Sequence, residues 1–195
     1  MTASIATLRR QAATCTRCPL YARATQTVFG EGVSGRLMLV GEQPGDVEDR
    51  AGRPFVGPAG TLLRELLAEA GIAEEETYVT NAVKHFKWRQ GGKRRIHDKP
   101  NRAEVDACGH WLTLELAAVR PRLVVCLGAT AAQALLGPSA RVGALRGREL
   151  PLADGTETRV TIHPSAVLRA GEERAERREE VLADLAQVAR RFHDF

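Results

Sequence analysis

With 195 residues, 44% hydrophobic and 27% charged, the chain has the make-up of an ordinary globular protein and the length for one domain, 1–195, with a sizeable core. No apolar run approaches a transmembrane span, which argues against membrane insertion, and the first residues lack the basic-then-apolar pattern of a secretory leader. The net charge of +4 is modest, but residues 84 to 102 gather Lys84, Lys87, Arg89, Lys93, Arg94, Arg95, Lys99 and Arg102 against Asp98 alone, a local basicity that points to a nucleic-acid partner. A cytoplasmic location is expected.

In chain order, Ala3 to Thr14 reads as a helix, and Tyr21 to Gly35 is turn-rich, with Gly30, Gly32 and Gly35. Arg36-Leu-Met-Leu-Val40 is an apolar run short enough for a buried parallel strand. After the polar stretch Gly41 to Gly60, residues Leu62, Leu63, Leu66, Leu67 and Ala70 recur at helical spacing over Thr61 to Ala70, and Gly71 is placed to cap that helix. Glu76 to Val83 is short and β-branched, a second strand with Asn81 near its carboxyl end. The basic stretch then runs as a loop to Pro100. Asn101-Arg-Ala-Glu104 is a capping-box pattern that opens a helix to about Val119. Pro121 ends it, Leu123 to Leu127 is a third strand, and Gly128-Ala-Thr starts a helix to Leu136. Arg148 to Leu152 and Glu157 to Ile162 read as further strands about the Asp154-Gly155 turn, with His163-Pro-Ser closing the last. Glu172 to Phe192 is a charged amphipathic helix that turns Val181, Leu182, Leu185, Val188 and Ala189 to the core. Strands alternating with helices specify a mostly parallel sheet covered by helices on both faces.

The stretch GEQPGDVEDRAGRPFVGPAG, Gly41 to Gly60, reads as a long loop at the carboxyl end of a strand, where open α/β sheets place their ligands. It carries Glu42, Gln43, Asp46, Glu48 and Asp49, with one exposed aromatic, Phe55, between Pro54 and Gly57. A surface loop with solvated carboxylates is the plain alternative.

There are four cysteines. Cys15-Thr-Arg-Cys18 is a CxxC after the first helix, Cys108 falls on a helix face with Val105, Leu112 and Leu116, and Cys126 sits in the third strand. In a reducing compartment a CxxC suggests a metal or redox role, but a structural zinc site normally shows a second close pair. Thiolates from such separated elements suit an iron–sulfur cluster; equally, Cys108 and Cys126 could be buried small hydrophobes.

GEQPG followed by GRPFVGPAG resembles the first active-site motif of the uracil-DNA glycosylase superfamily, and is similar to its iron–sulfur branch, families four and five. Gln43 stands where most of that branch has a small residue and is similar to the UdgX members, which become covalently joined to uracil-containing DNA. The resemblance implies a three-layer α/β/α sandwich on a four-stranded, mostly parallel central sheet. It also implies that Cys15, Cys18, Cys108 and Cys126 ligate a [4Fe–4S] cluster. Uracil-containing DNA would be the partner, single strands preferred, bound by a monomer.

On that fold Glu42, Asn81 and His163 each fall at the carboxyl end of a strand. A glycosylase flips the nucleotide into a snug pocket. By resemblance, Phe55 stacks on the base, Asn81 reads the uracil edge, and His163 stabilises the departing uracil near O2. Gly41, Gln43, Asp46, Arg95, Ser165 and Arg169 complete the expected substrate contacts. KRRIH, Lys93 to His97, resembles the loop that sets UdgX apart; its histidine, His97, attacks the sugar and stays bonded, with Glu42 as its acidic partner. Two alternatives stay open: a turnover uracil-DNA glycosylase releasing a free abasic site, and a non-catalytic iron–sulfur nucleic-acid-binding module.

Overall fold

The computed structural model describes residues 3–194. The chain runs α1 (Ile5–Ala12), β1 (Glu31–Gly32), β2 (Leu37–Gly41), α2 (Asp46–Ala51), α3 (Pro58–Glu69), β3 (Thr77–Asn81), β4 (Trp88–Gly91), β5 (Arg94–His97) and α4 (Arg102–Val119). It continues with β6 (Leu123–Leu127), α5 (Ala129–Leu136), α6 (Val142–Leu145), β7 (Leu150–Pro151), β8 (Glu157–Thr161), α7 (Pro164–Leu168) and α8 (Arg174–His193).

The main sheet has the order β1-β3-β2-β6-β8-β7. Its four inner strands are parallel, as expected, and a two-residue antiparallel strand is added at each edge. Every residue of β2 and of β6 is buried, which is why both read as unbroken apolar runs. Their side chains alternate between two cores. Leu37, Leu39, Leu123, Val125 and Leu127 pack under α3, α7 and α8; Met38, Val40, Val124 and Cys126 pack under α4 and α5. A third apolar group joins α1 to α4 through Leu8, Phe29, Val105 and Trp111. The result is the three-layer α/β/α sandwich. No helix among the described residues is long and apolar enough to cross a membrane.

Three local features depart from expectation. The stretch Gly41–Gly60 is not one loop. Asp46–Ala51 forms the short helix α2, and α3 begins at Pro58, ahead of Thr61. Acidic Asp46, Glu48 and Asp49 complement the helix N-terminus, while the Glu48 carboxylate accepts from the amides of Gly45 (3.1 Å) and Gly57 (2.8 Å). The basic stretch is not a loop either: β4 and β5 pair as a hairpin with Trp88 opposite His97, and Gly92 takes the positive φ of its turn.

The basic run is also thinner than its residue count. Lys84 is fully buried against Glu115, Lys87 pairs with Glu104, and Arg102 pairs with Asp106. Arg89, Lys93, Arg94 and Lys99 remain exposed along the hairpin and its exit.

Candidate active site

The carboxyl ends of the parallel strands supply the site. In the register of β2 and β3, Gly41 stands opposite Asn81. A Cβ on Gly41 would run into Asn81 Oδ1 and the Phe55 ring and come within 3.4 Å of His163 Nε2. Only glycine permits these three side chains to close on one point. They face a cavity of about 740 Å³ that is also lined by Glu42, Gln43, Asp46, His97, Ser165 and Arg169.

Phe55 was expected to be exposed; it is buried, with φ of 55°, a costly backbone conformation for a bulky residue. Its carbonyl accepts from Arg64 Nη1 at 2.8 Å, and its ring lies nearly parallel to that of His163, with centroids 6.2 Å apart. The turn is thus held so that the aromatic face lines the cavity and does not meet solvent.

His163 opens α7, and its Nδ1 accepts from the Ser165 amide at 3.1 Å. A backbone amide can only donate, so the proton of the neutral ring sits on Nε2, the nitrogen turned toward Gly41 and the cavity. Burial pushes the His163 pKa down to about 4, with Glu42 opposing and Arg169 and His97 adding to the fall. The ring is therefore a neutral N–H donor at ordinary pH. Asn81 has its backbone carbonyl bound by Lys84 Nζ at 2.6 Å, and its carboxamide has no partner among the described residues.

His97 reaches the site. Its Nε2 lies 3.3 Å from Glu42 Oε1, and its ring stands 6.2 Å from that of Phe86. The other Glu42 oxygen accepts from the Thr130 hydroxyl at the start of α5. Burial alone would raise the Glu42 pKa, but hydrogen bonds from His97 and Thr130 outweigh it and hold the carboxyl below its usual range. Thr130 was not anticipated. Its signal was Gly128-Ala-Thr, a helix start at the carboxyl end of a strand.

Three residues expected at the substrate have their polar groups engaged with the hairpin. Gln43 Oε1 accepts from the Lys87 amide at 3.0 Å, and its Nε2 donates to the carbonyls of Lys87 (3.1 Å) and Asp98 (3.0 Å). Arg95 bonds both Asp46 and Asp49, the latter at 2.7 Å, and donates to Thr25 at 3.1 Å. Gln43 and Asp46 still line the cavity wall, but what they bind is the hairpin that carries His97. Gln43→Ala should leave the sheet folded and loosen this hairpin. Three hydrogen bonds at about 1 kcal/mol each amount to roughly 3 kcal/mol, so hydrogen exchange at the Lys87 and Asp98 amides should quicken about 10²-fold. Unchanged exchange there would show that Arg95 alone seats the hairpin.

The cysteines divide. Cys15, Cys18 and Cys108 share the apolar group beneath α1. Burial pushes Cys108 up to about 11, with Lys84 opposing and Cys18 and Cys15 adding to the rise. Trp111 Nε1 donates to Cys15 Sγ at 3.1 Å and the Lys84 amide to Cys108 Sγ at 3.2 Å. Cys126 is not with them. It points from β6 into the core under α4 and α5, and burial alone pushes its pKa up to about 12. Its expected place as a cluster ligand is corrected: neighbouring Val124 and Leu127 look alike in the strand, and the cysteine there is a small core residue. Among the described residues no three His, Cys, Asp or Glu side chains are arranged to hold a single ion.

This fold, with polar side chains converging at the strand ends, is that of a known family. Residues 29–186 match the Uracil DNA glycosylase superfamily, and the chain belongs to it. Among its relatives are the type-4 uracil-DNA glycosylases of Thermotoga maritima, 41% identical over 80% of this chain and 78% of theirs, and of Pyrobaculum aerophilum, 39% identical over 80% of each. A type-5 uracil-DNA glycosylase of Pyrobaculum aerophilum is 30% identical over 77% of this chain and 78% of its own.

Proposed function

We propose that this protein excises uracil from DNA and then captures the exposed sugar through His97, in the manner of the UdgX branch. The observation that carries the reading is the His97–Glu42 pair, 3.3 Å apart, at the wall of the cavity that also holds Phe55, Asn81 and His163. The type-4 and type-5 relatives support the excision step.

A flipped deoxyuridine enters with its base against Phe55 and its N3–H and O4 on the Asn81 carboxamide. The C1′–N1 bond breaks and its electron pair leaves with uracil, whose O2 accepts from His163 Nε2–H. C1′ becomes oxocarbenium-like. The His97 imidazole supplies the lone pair for a new bond at C1′, and the imidazolium so formed lies against the Glu42 carboxylate. Uracil takes a proton from solvent on release. The new bond has no easy hydrolytic exit, so one protein molecule is consumed per uracil. Exposed Arg89, Lys93, Arg94 and Lys99 suit phosphate contacts. Single strands, which require no base pair to be opened, are the preferred substrate, and one chain holds every residue of the site.

Cys15, Cys18 and Cys108, with N–H donors on two of the sulfurs, fit an iron–sulfur cluster. Such a cluster would fasten the N-terminal turn to α4, and base excision asks no electron of it.

A denaturing gel with uracil-containing single-stranded DNA tests the reading. A band that survives heat and detergent, absent with thymine DNA, is expected. Free abasic product without that band would leave excision standing and remove capture. Neither product would leave a binding module.

The rate should also report His163. Its folded pKa of about 4 lies below its ordinary 6.5, so between these values the unfolded chain binds a proton that the folded chain refuses, and stability falls as pH drops through that window. Protonation would also set a hydrogen on Nδ1 against the Ser165 amide. Single-turnover excision should be flat from about pH 8 to about pH 5 and decline as pH nears 4. Full rate at pH 4 would exclude neutral His163 as the donor.

A further inference from the structure

We infer that Thr130 is a positioning residue for capture: it fixes Glu42 so that one carboxylate oxygen faces His97. The inference rests on the capture reading above and concerns how the acidic partner is aimed. β2 and β6 run parallel with Val40 opposite Cys126, so Glu42 leaves β2 beside the turn by which β6 enters α5. Thr130 is the second residue of α5, 3% exposed, and its hydroxyl donates to Glu42 Oε2. A carboxylate only accepts, so the single hydroxyl proton is committed to this bond. Oε1 is thereby left to His97 Nε2, 3.3 Å away.

The turn is itself fixed. Gly128 has φ of 89°, its amide donates to the Thr161 carbonyl at 2.9 Å, and a Cβ on it would lie 3.0 Å from the His163 Cβ. The same turn therefore abuts the residue that receives uracil's charge and holds the residue that faces the nucleophile. Capture needs this fixity. A carboxylate with no second bond turns about its last torsion, and neither oxygen is then reserved for the ring. With Oε2 pinned, the imidazolium forming on His97 meets its charge partner already in place. His97, from the hairpin, and His163, at the start of α7, are the titratable groups that bear on Glu42, and Thr130 adds a neutral donor. Loss of that donor raises the Glu42 pKa, so the carboxylate takes up its proton at a higher pH.

The test uses the full chain and single-stranded DNA carrying tritiated uracil. Uracil released counts excision, and the heat-stable band counts capture. Wild type should give one adduct per uracil released. Thr130→Val keeps the branched shape and removes the hydroxyl. It should slow capture relative to excision by about 10-fold, the worth of one hydrogen bond to a charged group, with the balance appearing as free abasic DNA. The acid limb of the adduct-to-uracil ratio should also move to higher pH than in wild type, and Thr130→Ser should restore both. A ratio and a pH profile unchanged in Thr130→Val would overturn the inference, as would a fall in uracil release that capture merely follows. Should Thr130→Val release no uracil, Thr130→Ala, which only removes atoms, is read in its place. No release from either would assign Thr130 to the fold and overturn the inference as well. Wild type that releases uracil without an adduct would sink the capture reading itself, a failure seen before any variant is made.

Discussion

His97→Ser is expected to abolish the heat-stable DNA adduct and to turn the protein into a glycosylase that releases an abasic product. The imidazole is the only group this change removes from the cavity wall. Phe55, Asn81 and His163, which hold and release uracil, stand on other elements and share no hydrogen bond with it. A serine leaves room beside Glu42 for a water molecule, which can take the oxocarbenium carbon in place of the ring. Glu42→Gln should behave differently. It removes the charge that faces the developing imidazolium and alters the acceptor for Thr130, so adduct formation should slow by about 10²-fold or more. An adduct formed by His97→Ser at the wild-type rate would mean another nucleophile. A variant that neither crosslinks nor excises, while still binding uracil DNA, would assign His97 to bond breakage as well.

Glu115→Gln is expected to cost about 3–5 kcal/mol, the range for leaving a buried charge without its partner. Lys84 and Glu115 are both fully buried. The carboxylate also accepts from Tyr78 (2.9 Å), Thr80 (2.9 Å) and the Gly30 amide (3.1 Å), while Lys84 Nζ donates to Thr80 and to the Asn81 carbonyl. For a chain of this length that loss corresponds to a fall in Tm of roughly 6–20 °C. Replacing both, as Lys84→Met with Glu115→Leu, should recover only the part of the loss that comes from the stranded charge, because the Tyr78 and Thr80 hydroxyls and the Gly30 amide then lack their acceptor. Excision should not recover with it, since the Asn81 carbonyl loses its donor. A single variant melting at the wild-type temperature would mean that the buried pair contributes nothing to the stability of the fold.

The parts that were legible in the sequence are those whose signal is local. The parallel strands declared themselves because burial on both faces demands unbroken apolar runs, and α3, α4 and α8 because one face of each meets a core. Helix α2 gave no such sign: four of its six residues are charged, its Val47 is exposed, and it is held by Glu48 reaching back to Gly45 and on to Gly57. The hairpin was equally silent, since Gln43, Asp46 and Asp49 hold it from far along the chain. Cys126 misled for the opposite reason. A count of cysteines pairs it with Cys108, but strand alternation turns it into the core on the far side of β6 from α8. Glu42, Asn81 and His163 were found because strand ends are places that topology, and not periodicity, makes meet.

The way Gln43 grips the hairpin has a consequence for how this protein can change. All three of its bonds go to main-chain atoms, one amide and two carbonyls. The identities of the hairpin's outward side chains are invisible to it. Arg89, Arg94 or Ile96 can drift through generations of substitution while the base of the hairpin keeps its seat. Gln43 has no such freedom. Glutamate would press an oxygen against two carbonyls, and asparagine is one methylene short of them. Innovation is therefore free at the tip and forbidden at a position far away in the chain, and a lineage that lost this one carboxamide would lose its hold on His97 without touching the histidine.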